Sequence, residues 1–138
     1  MSHLQCYNYA GFGERSRKDV NYSQAVRIDN RIEISGQPGL DPETEAIPKS
    51  FTEEIEQAFS NVELALKSAG GKGWSQVYRV RMYVVLSDDL TWADVLGHGA
   101  NALKKWCPDH APLLTGVEVK SLALEGMRIE VEANAHLG

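Results

Sequence analysis

The chain has 138 residues, the usual size of one domain, and a division into two domains would leave each half too little core. Hydrophobic residues make up 43% and charged residues 24%, a globular composition that excludes a disordered or low-complexity protein. Lys and Arg number 14 against 19 Asp and Glu, and the net charge of −5 argues against nonspecific binding to nucleic acid or anionic lipid.

The first predicted elements are two strands joined as a β-hairpin around Asp29-Asn30. Their apolar residues all fall on even positions: Val26, Ile28, Ile32 and Ile34. Apolar residues pair across such a hairpin only if the turn has an odd number of residues, because a slip of one residue exchanges the faces of a strand. The pattern therefore predicts a three-residue turn, 29–31, or a bulge.

The clearest periodicity in the chain is that of an amphipathic helix. It follows a predicted loop, 36–48, that holds three prolines and two glycines. Ser50 with Glu53 predicts a capping box at the start of the helix, and Gly70-Gly71 predicts a left-handed stop at its end. The apolar residues between these signals recur at spacings of four, three, four and three: Ile55, Phe59, Val62, Leu66 and Ala69.

Three further strands and a second helix complete the predicted fold. Residues 76–86 suit a central strand, 92–106 a helix, and 113–119 and 127–135 two closing strands. The order is β-β-α-β-α-β-β, with two helices available to cover one face of a single mixed sheet. We therefore expect the α+β class.

The opposite face of this sheet is predicted to carry charges of both signs. Apolar residues alternate with polar ones in the central strand and in the last strand. The polar sets are Arg79, Arg81 and Tyr83 in the first of these, and Arg128, Glu130 and Glu132 in the second. Periodicity leaves two interpretations open, a solvated face and a polar subunit interface or ligand cleft.

Motifs for phosphate and metal chemistry are absent from the sequence. Neither GxGxxG nor GxxxxGK[ST] occurs, and the four histidines are scattered without HExxH spacing. We therefore expect no cofactor and no metal. Cys107 and His110 stand close together, but their predicted loop position favours a structural role over a nucleophile pair.

The subcellular location of the protein is predicted from its apolar runs and its cysteines. No run approaches the roughly 20 residues of a membrane span, and residues 1–20 lack a continuous apolar signal segment. Two cysteines, Cys6 and Cys107, do not form a disulfide framework. We expect a cytoplasmic protein without membrane contact, with the mitochondrial matrix as the alternative.

Several short motifs together resemble the RidA/YjgF family of small trimeric proteins, also called L-PSP endoribonuclease-like. The motifs are Tyr22-Ser-Gln-Ala-Val26, Ile34-Ser-Gly-Gln37, Leu40-Asp-Pro42, Ala69-Gly70-Gly71, Val117-Glu118-Val119 and Ile129-Glu-Val-Glu-Ala133. The resemblance covers about residues 22–135, so we assign residues 1–20 to an N-terminal extension and 21–138 to a RidA-like domain. It implies a chorismate-mutase-like fold whose homotrimer joins three sheets into a barrel, with small-molecule clefts between subunits.

The resemblance also implies an activity and residues that perform it. Deaminases of this family hydrolyse reactive enamines and imines to 2-keto acids and ammonia without a cofactor. By position, the matching residues are Tyr22, Ser35 and Glu130. Tyr22 is expected to line the pocket, Ser35 to hydrogen-bond ligand or water, and Glu130 to hold the attacking water and transfer protons.

One departure from the family pattern concerns the substrate carboxylate. The deaminases bind it with an Arg before the Val-Glu-Val segment, and Leu114 stands at that place here. Gly116 replaces a frequent cysteine, and Leu96 replaces a pocket asparagine. We expect a pocket more apolar than in the deaminases.

Three hypotheses follow from this departure. The first is a re-tailored pocket for a less anionic or aromatic ligand, with imine hydrolysis retained at Glu130. The second is a non-catalytic trimer that only binds small molecules or partners. In the third, Arg81 or an Arg of the adjacent subunit supplies the anion site, although a salt bridge from Arg81 to a cross-strand Glu is the commoner arrangement. Ribonuclease activity ranks last, since the negative charge opposes phosphate binding and no His pair is present.

Overall fold

The structure, a computed structural model, describes residues 2–138 and contains one seven-stranded mixed sheet with three α-helices. The helices are α1 (Phe12–Asp19), α2 (Phe51–Ser68) and α3 (Trp92–Trp106). The strands are β1 (Gln5–Tyr7), β2 (Ala25–Ile28), β3 (Arg31–Ile34), β4 (Gln37–Pro38), β5 (Val77–Val84), β6 (Leu113–Glu118) and β7 (Ile129–His136).

The strands lie side by side in the order β1-β2-β3-β7-β5-β6, and the short β4 pairs with β7. All neighbours are antiparallel except β5 and β6, which are parallel because α3 returns the chain to the same end of the sheet. The predicted α+β class and the order of the seven predicted elements are confirmed. The sequence patterns missed β1, α1 and β4.

The turn between β2 and β3 differs from the prediction. Ile28 pairs with Arg31, so the turn contains only Asp29 and Asn30. The predicted three-residue turn is therefore wrong, and the apolar even positions of the two strands point to opposite faces of the sheet. Ala25 supplies the buried position of β2 instead. Asp29 adopts the left-handed conformation, with φ 52°, that a tight hairpin turn favours.

The core lies between the apolar face of the sheet and helices α2 and α3. At the start of α2, the Ser50 hydroxyl oxygen accepts a hydrogen bond from the Glu53 N–H at 3.1 Å. At its end, Gly70 adopts a φ of 88°, as the left-handed stop requires. Phe59 of this helix is fully buried and stacks on Trp74, with ring centroids 4.5 Å apart. Burial of one such aromatic side chain contributes about 1.5–3 kcal/mol.

A buried carboxylate ties α2 to the start of β7. Glu54 has no exposed surface, and its two oxygens accept hydrogen bonds from the backbone N–H of Arg128 (2.7 Å) and of Ile129 (3.2 Å) and from Arg128 Nε (2.6 Å). The negative charge is thus both paired and hydrogen-bonded, which a charge in an apolar core requires. This contact fixes the position of the strand that carries Glu130.

The opposite face of the sheet carries polar residues of β5 and β7, as the alternation predicts. Arg128, which was expected there too, instead pairs with Glu54 of α2. Arg81 lies opposite Glu132, and Tyr83 lies opposite Glu130. Arg81 Nη1 is 3.8 Å from Glu132 Oε2, and the Tyr83 hydroxyl donates to the same carboxylate. Among residues 2–138, no helix has the length and apolar character needed to cross a membrane.

Candidate functional site

A cleft of about 270 Å³ lies where the polar face of the sheet meets helix α1. We call it the Glu130 cleft. One side is formed by Tyr22, Gly36 and Glu130, and residues of α1 form the other. The sequence-predicted residues Tyr22 and Glu130 therefore share one cavity within a single chain.

The carboxylate of Glu130 is the titratable group of this cleft with a displaced pKa. Burial raises its pKa above the ordinary glutamate value, and the negative charge of Glu132, two residues along the same strand face, raises it further. Glu130 takes part in none of the salt bridges found within residues 2–138. A carboxylate whose pKa is raised is a stronger base than an ordinary glutamate and is suited to accept and return a proton.

Gly36 provides the space that the Glu130 carboxylate occupies. A Cβ atom built on Gly36 would lie 2.1 Å from Glu130 Oε1, closer than any side chain tolerates. This glycine was not among the site residues predicted from sequence. Its position directly after a strand, within the Ser-Gly-Gln motif, is the signal that could have identified it.

Tyr22 and Ser35 differ in how they meet the cleft. The Tyr22 hydroxyl lies 3.2 Å from the Ser16 hydroxyl of α1, so the helix orients the phenol at the cleft wall. The Ser35 hydroxyl donates to the Ser23 carbonyl at 2.7 Å, and Ser35 lies outside the Glu130 cleft. Within one chain, Ser35 thus stabilises the backbone beside the cleft.

Helix α1 contributes side chains to the cleft that were not predicted from sequence. Four residues of this helix line the cleft: Phe12, Arg15, Ser16 and Asp19. The last three follow Phe12 by three, four and seven positions, a spacing that places all four on one face of the helix. The helix itself, FGERSRKD, has Phe12 as its one apolar side chain, which is too little for hydrophobic periodicity to indicate it. The helical spacing of these four residues is the only sequence signal for the wall.

A second cavity, of about 340 Å³, lies between β6 and α3. We call it the Leu114 groove, and its lining includes Leu96, Leu114, Gly116 and Trp92. It lies on the helix-covered face of the sheet, since Leu114 pairs with the buried Val80. All of its lining residues are apolar or glycine, so the groove contains no charged side chain to bind a carboxylate.

The predicted site residues thus form two groups on opposite faces of the sheet. Tyr22 and Glu130 line one cavity, whereas Leu96, Leu114 and Gly116 line the other. Arg81 lines neither cavity and is paired with Glu132. A single chain does not bring the two groups together.

Other sequence candidates play structural roles in the described chain. Burial, with a smaller effect from Glu63, raises the pKa of the Cys107 thiol to about 11, so the thiol is protonated at neutral pH. His110 Nε2 lies 2.7 Å from the Val77 carbonyl oxygen. These contacts do not form a nucleophile pair. Residues 2–138 contain no group of three or more His, Cys, Asp or Glu side chains arranged to hold a metal.

Comparison with known proteins agrees with this fold and with the sequence motifs. The family model of endoribonuclease L-PSP matches residues 14–137. The chain is 36% identical over 118 residues to 2-iminobutanoate/2-iminopropanoate deaminase of Mus musculus, covering 85% of this chain and 82% of the mouse protein. It is 34% identical over 118 residues to the Bos taurus protein of the same name, covering 85% and 80% of the two chains.

A solved structure supports the same relationship. The YjgF gene product of E. coli is 26% identical and aligns with a TM-score of 0.72, covering 83% of this chain and 87% of the bacterial one. The chain therefore belongs to the endoribonuclease L-PSP family, the RidA/YjgF proteins, as the sequence motifs predict.

Proposed function

We propose that this protein hydrolyses a reactive enamine or imine to a carbonyl compound and ammonia, with Glu130 as the proton-transferring residue. The observation that carries the proposal is the Glu130 carboxyl group, which lies unpaired in a cleft with its pKa raised by burial and by Glu132. Relatives 34% and 36% identical, named as 2-iminobutanoate/2-iminopropanoate deaminases, support it.

The proposed chemistry needs one water and one proton shuttle. The water oxygen bonds to the imine carbon while Glu130 accepts a proton from that water. Glu130 then returns this proton to the nitrogen. The proton of the newly formed hydroxyl group also passes to the nitrogen, and the C–N bond breaks to leave a carbonyl group and ammonia. Tyr22 borders the cleft and presents a hydroxyl that hydrogen-bonds ligand or water. No cofactor or metal takes part in this scheme.

The active assembly in this proposal is a homotrimer whose small-molecule clefts lie between subunits. Strand β6 supports it, because it is an edge strand with every residue exposed and with apolar side chains on both faces. Leu113 and Leu114 are 58% and 46% exposed. An exposed apolar edge strand of this kind is stabilised when another protein surface packs against it. Contact between subunits would also let one chain's Leu114 groove approach another chain's Glu130 cleft.

Glu130→Gln tests the catalytic proposal. The amide keeps the size of the side chain but cannot shuttle the proton, so kcat for imine hydrolysis should fall by about a hundredfold or more. Imines generated in situ by an amino-acid or amine oxidase are the substrates, and ammonia release is the readout. Glu53→Gln, at an exposed position of α2, is the matched control and should retain wild-type rates.

Leu114 favours a second candidate, a trimer that binds small molecules without catalysis. The position at which the family deaminases bind the carboxylate with an Arg carries an apolar side chain here, in a groove without polar side chains. Wild-type protein that binds ligand but accelerates no imine hydrolysis would establish this alternative. A rate unchanged by Glu130→Gln would instead remove Glu130 from the mechanism.

The assembly is tested by light scattering on the full chain after size exclusion. The proposal expects three times the 15.3 kDa of one chain. Leu113→Lys, which places a charge on the exposed edge, should shift the population toward monomer. A wild-type monomer at micromolar concentration contradicts the trimer.

A further inference from the structure

The charges that line the Glu130 cleft are unequal in number. Three carboxylates, those of Asp19, Glu45 and Glu130, face a single guanidinium, that of Arg15. Helix α1 supplies both Arg15 and Asp19. The charge of the bound molecule therefore depends on which of these groups are already paired within the protein.

Arg15 is already hydrogen-bonded to the loop that follows β4. Its Nε donates to Glu45 Oε2 at 2.7 Å, and its Nη2 donates to the carbonyl oxygens of Pro42 (2.7 Å) and Glu43 (3.2 Å). A guanidinium binds a carboxylate at two points through either its Nε/Nη2 edge or its Nη1/Nη2 edge. Both edges include Nη2, whose two protons are occupied. Arg15 therefore has no free edge for a two-point contact with a substrate carboxylate.

Two further arginines, one in β5 and one directly before β7, are also paired. Arg81 Nη1 lies 3.8 Å from Glu132, and Arg128 Nε donates to the buried Glu54 at 2.6 Å. Arg128 Nη2 donates in addition to the carbonyl oxygen of Pro48 at 3.1 Å. Neither arginine lines the Glu130 cleft. The described chain thus presents no unpaired guanidinium to an anion in this cavity.

Asp19 and Glu130, in contrast, carry no cation of their own. Neither takes part in a salt bridge within residues 2–138, whereas Glu45 is paired with Arg15. The remaining wall is largely apolar and includes Phe12, Leu124 and Met127. This combination suits a molecule with a positive or neutral nitrogen on an apolar side chain. A carboxylate in the same place would meet like charge without compensation.

Resting on the hydrolytic function proposed above, we propose that the Glu130 cleft takes imines that lack a carboxylate, bound as the iminium ion beside Asp19. Such imines arise from two-electron oxidation of primary amines, whereas oxidation of amino acids gives imines that carry a carboxylate. The reaction is R–CH=NH₂⁺ + H₂O → R–CHO + NH₄⁺. The C=N double bond is replaced by a C=O double bond whose oxygen comes from the water. Both protons of the water pass to the nitrogen, which leaves as ammonium, and no oxidation state changes.

A matched pair of substrates tests this preference. An amine oxidase acting on 2-phenylethylamine and an amino-acid oxidase acting on phenylalanine generate imines with the same benzyl group, one without and one with a carboxylate. Hydrolysis is followed by competition with semicarbazide trapping. The imine from 2-phenylethylamine should have a kcat/KM about tenfold higher or more. Equal or faster hydrolysis of the phenylalanine-derived imine overturns the preference and leaves the hydrolytic function in place.

Asp19→Asn tests the residue itself. Loss of its charge should raise KM for the amine-derived imine by about tenfold and change kcat little, since Asp19 binds the iminium and transfers no proton. Asp88→Asn, on the exposed loop between β5 and α3, is the matched control and should change neither parameter. An Asp19→Asn variant with wild-type KM would remove Asp19 from the site.

Binding separates failure of the preference from failure of the hydrolytic function. Titration calorimetry with 2-phenylethylammonium and 3-phenylpropanoate compares a cation and an anion that are attached to the same 2-phenylethyl group. Tighter binding of the ammonium by a protein that hydrolyses neither imine would support the charge preference and contradict the function. Tighter binding of the carboxylate, or no binding of either probe, would overturn the charge preference.

Discussion

A Cβ atom on Gly36 would lie 2.1 Å from Oε1 of Glu130, so the carboxylate fills the space that a side chain at position 36 needs. Gly36→Ala should therefore push the Glu130 carboxylate away from its position in the cleft. We expect a loss of about a hundredfold in kcat for imine hydrolysis, since small displacements of a catalytic group have effects of this size. Activity assays on the folded variant measure it.

Gly97→Ala is the matched control for this substitution. Gly97 lies in the exposed middle of α3, and a Cβ atom there would meet nothing within 4 Å. The change should raise the free energy of unfolding by about 0.5–1 kcal/mol because alanine is the better helix former, and it should leave the rate unchanged. Equal rate losses in the two variants would mean that Gly36 has no special relation to Glu130.

Stability should depend on pH through Glu130. Its folded-state pKa is raised by burial and by Glu132, so the folded protein holds this proton more tightly than the unfolded chain. The free energy of unfolding therefore falls as pH rises from the ordinary glutamate pKa, about 4.3, through the raised folded value.

Glu130→Gln removes this dependence, because its side chain does not ionise. The variant should gain stability relative to wild type across that pH window and keep a constant advantage above it. Urea unfolding at one fixed protein concentration and a series of pH values measures the difference. A difference that is constant across the window, or that shrinks as pH rises, contradicts the raised pKa.

Glu54→Ala should be among the most destabilising single changes in the chain. It leaves the Arg128 guanidinium, which is partly buried, and two backbone N–H groups without their acceptor. Loss of one partner of a buried ion pair costs about 3–5 kcal/mol. Glu56→Ala breaks the pair with Lys105, whose two side chains are 39% and 64% exposed, and should cost less than about 1 kcal/mol. Urea midpoints of the two variants should differ accordingly.

The parts of the fold that were predicted from sequence are those with local signals. The apolar stripe of α2 lies between Ser50, which supplies the N-cap, and Gly70, which supplies the left-handed stop, and all three signals depend only on nearby residues. The prediction of the turn between β2 and β3 was wrong because apolar alternation does not specify which face of a short strand is buried. Ala25, a small residue, takes the core position there.

The candidate site was predictable only in part. Alternation placed Glu130 on the polar face of the sheet, as the structure has it. That Leu114 lies on the other face follows from the parallel register of β6 with Val80, which no local pattern encodes. Helix α1 went unrecognised because Phe12 is its only large apolar residue, and Arg15 and Asp19 were missed with it.

Leu114→Arg should create a carboxylate site in the Leu114 groove. The position is 46% exposed, so the longer side chain can be accommodated at little cost in stability. A charge-assisted two-point contact should raise kcat/KM for 2-iminobutanoate by about tenfold or more and shift preference toward imines that carry a carboxylate. Leu64→Arg, at an exposed position of α2 that is 39% accessible, controls for the added charge and should leave the preference unchanged. Only Leu114→Arg should reverse the preference between imines with and without a carboxylate. Equal changes of kcat/KM in Leu114→Arg and Leu64→Arg would show that the Leu114 groove does not contact the substrate.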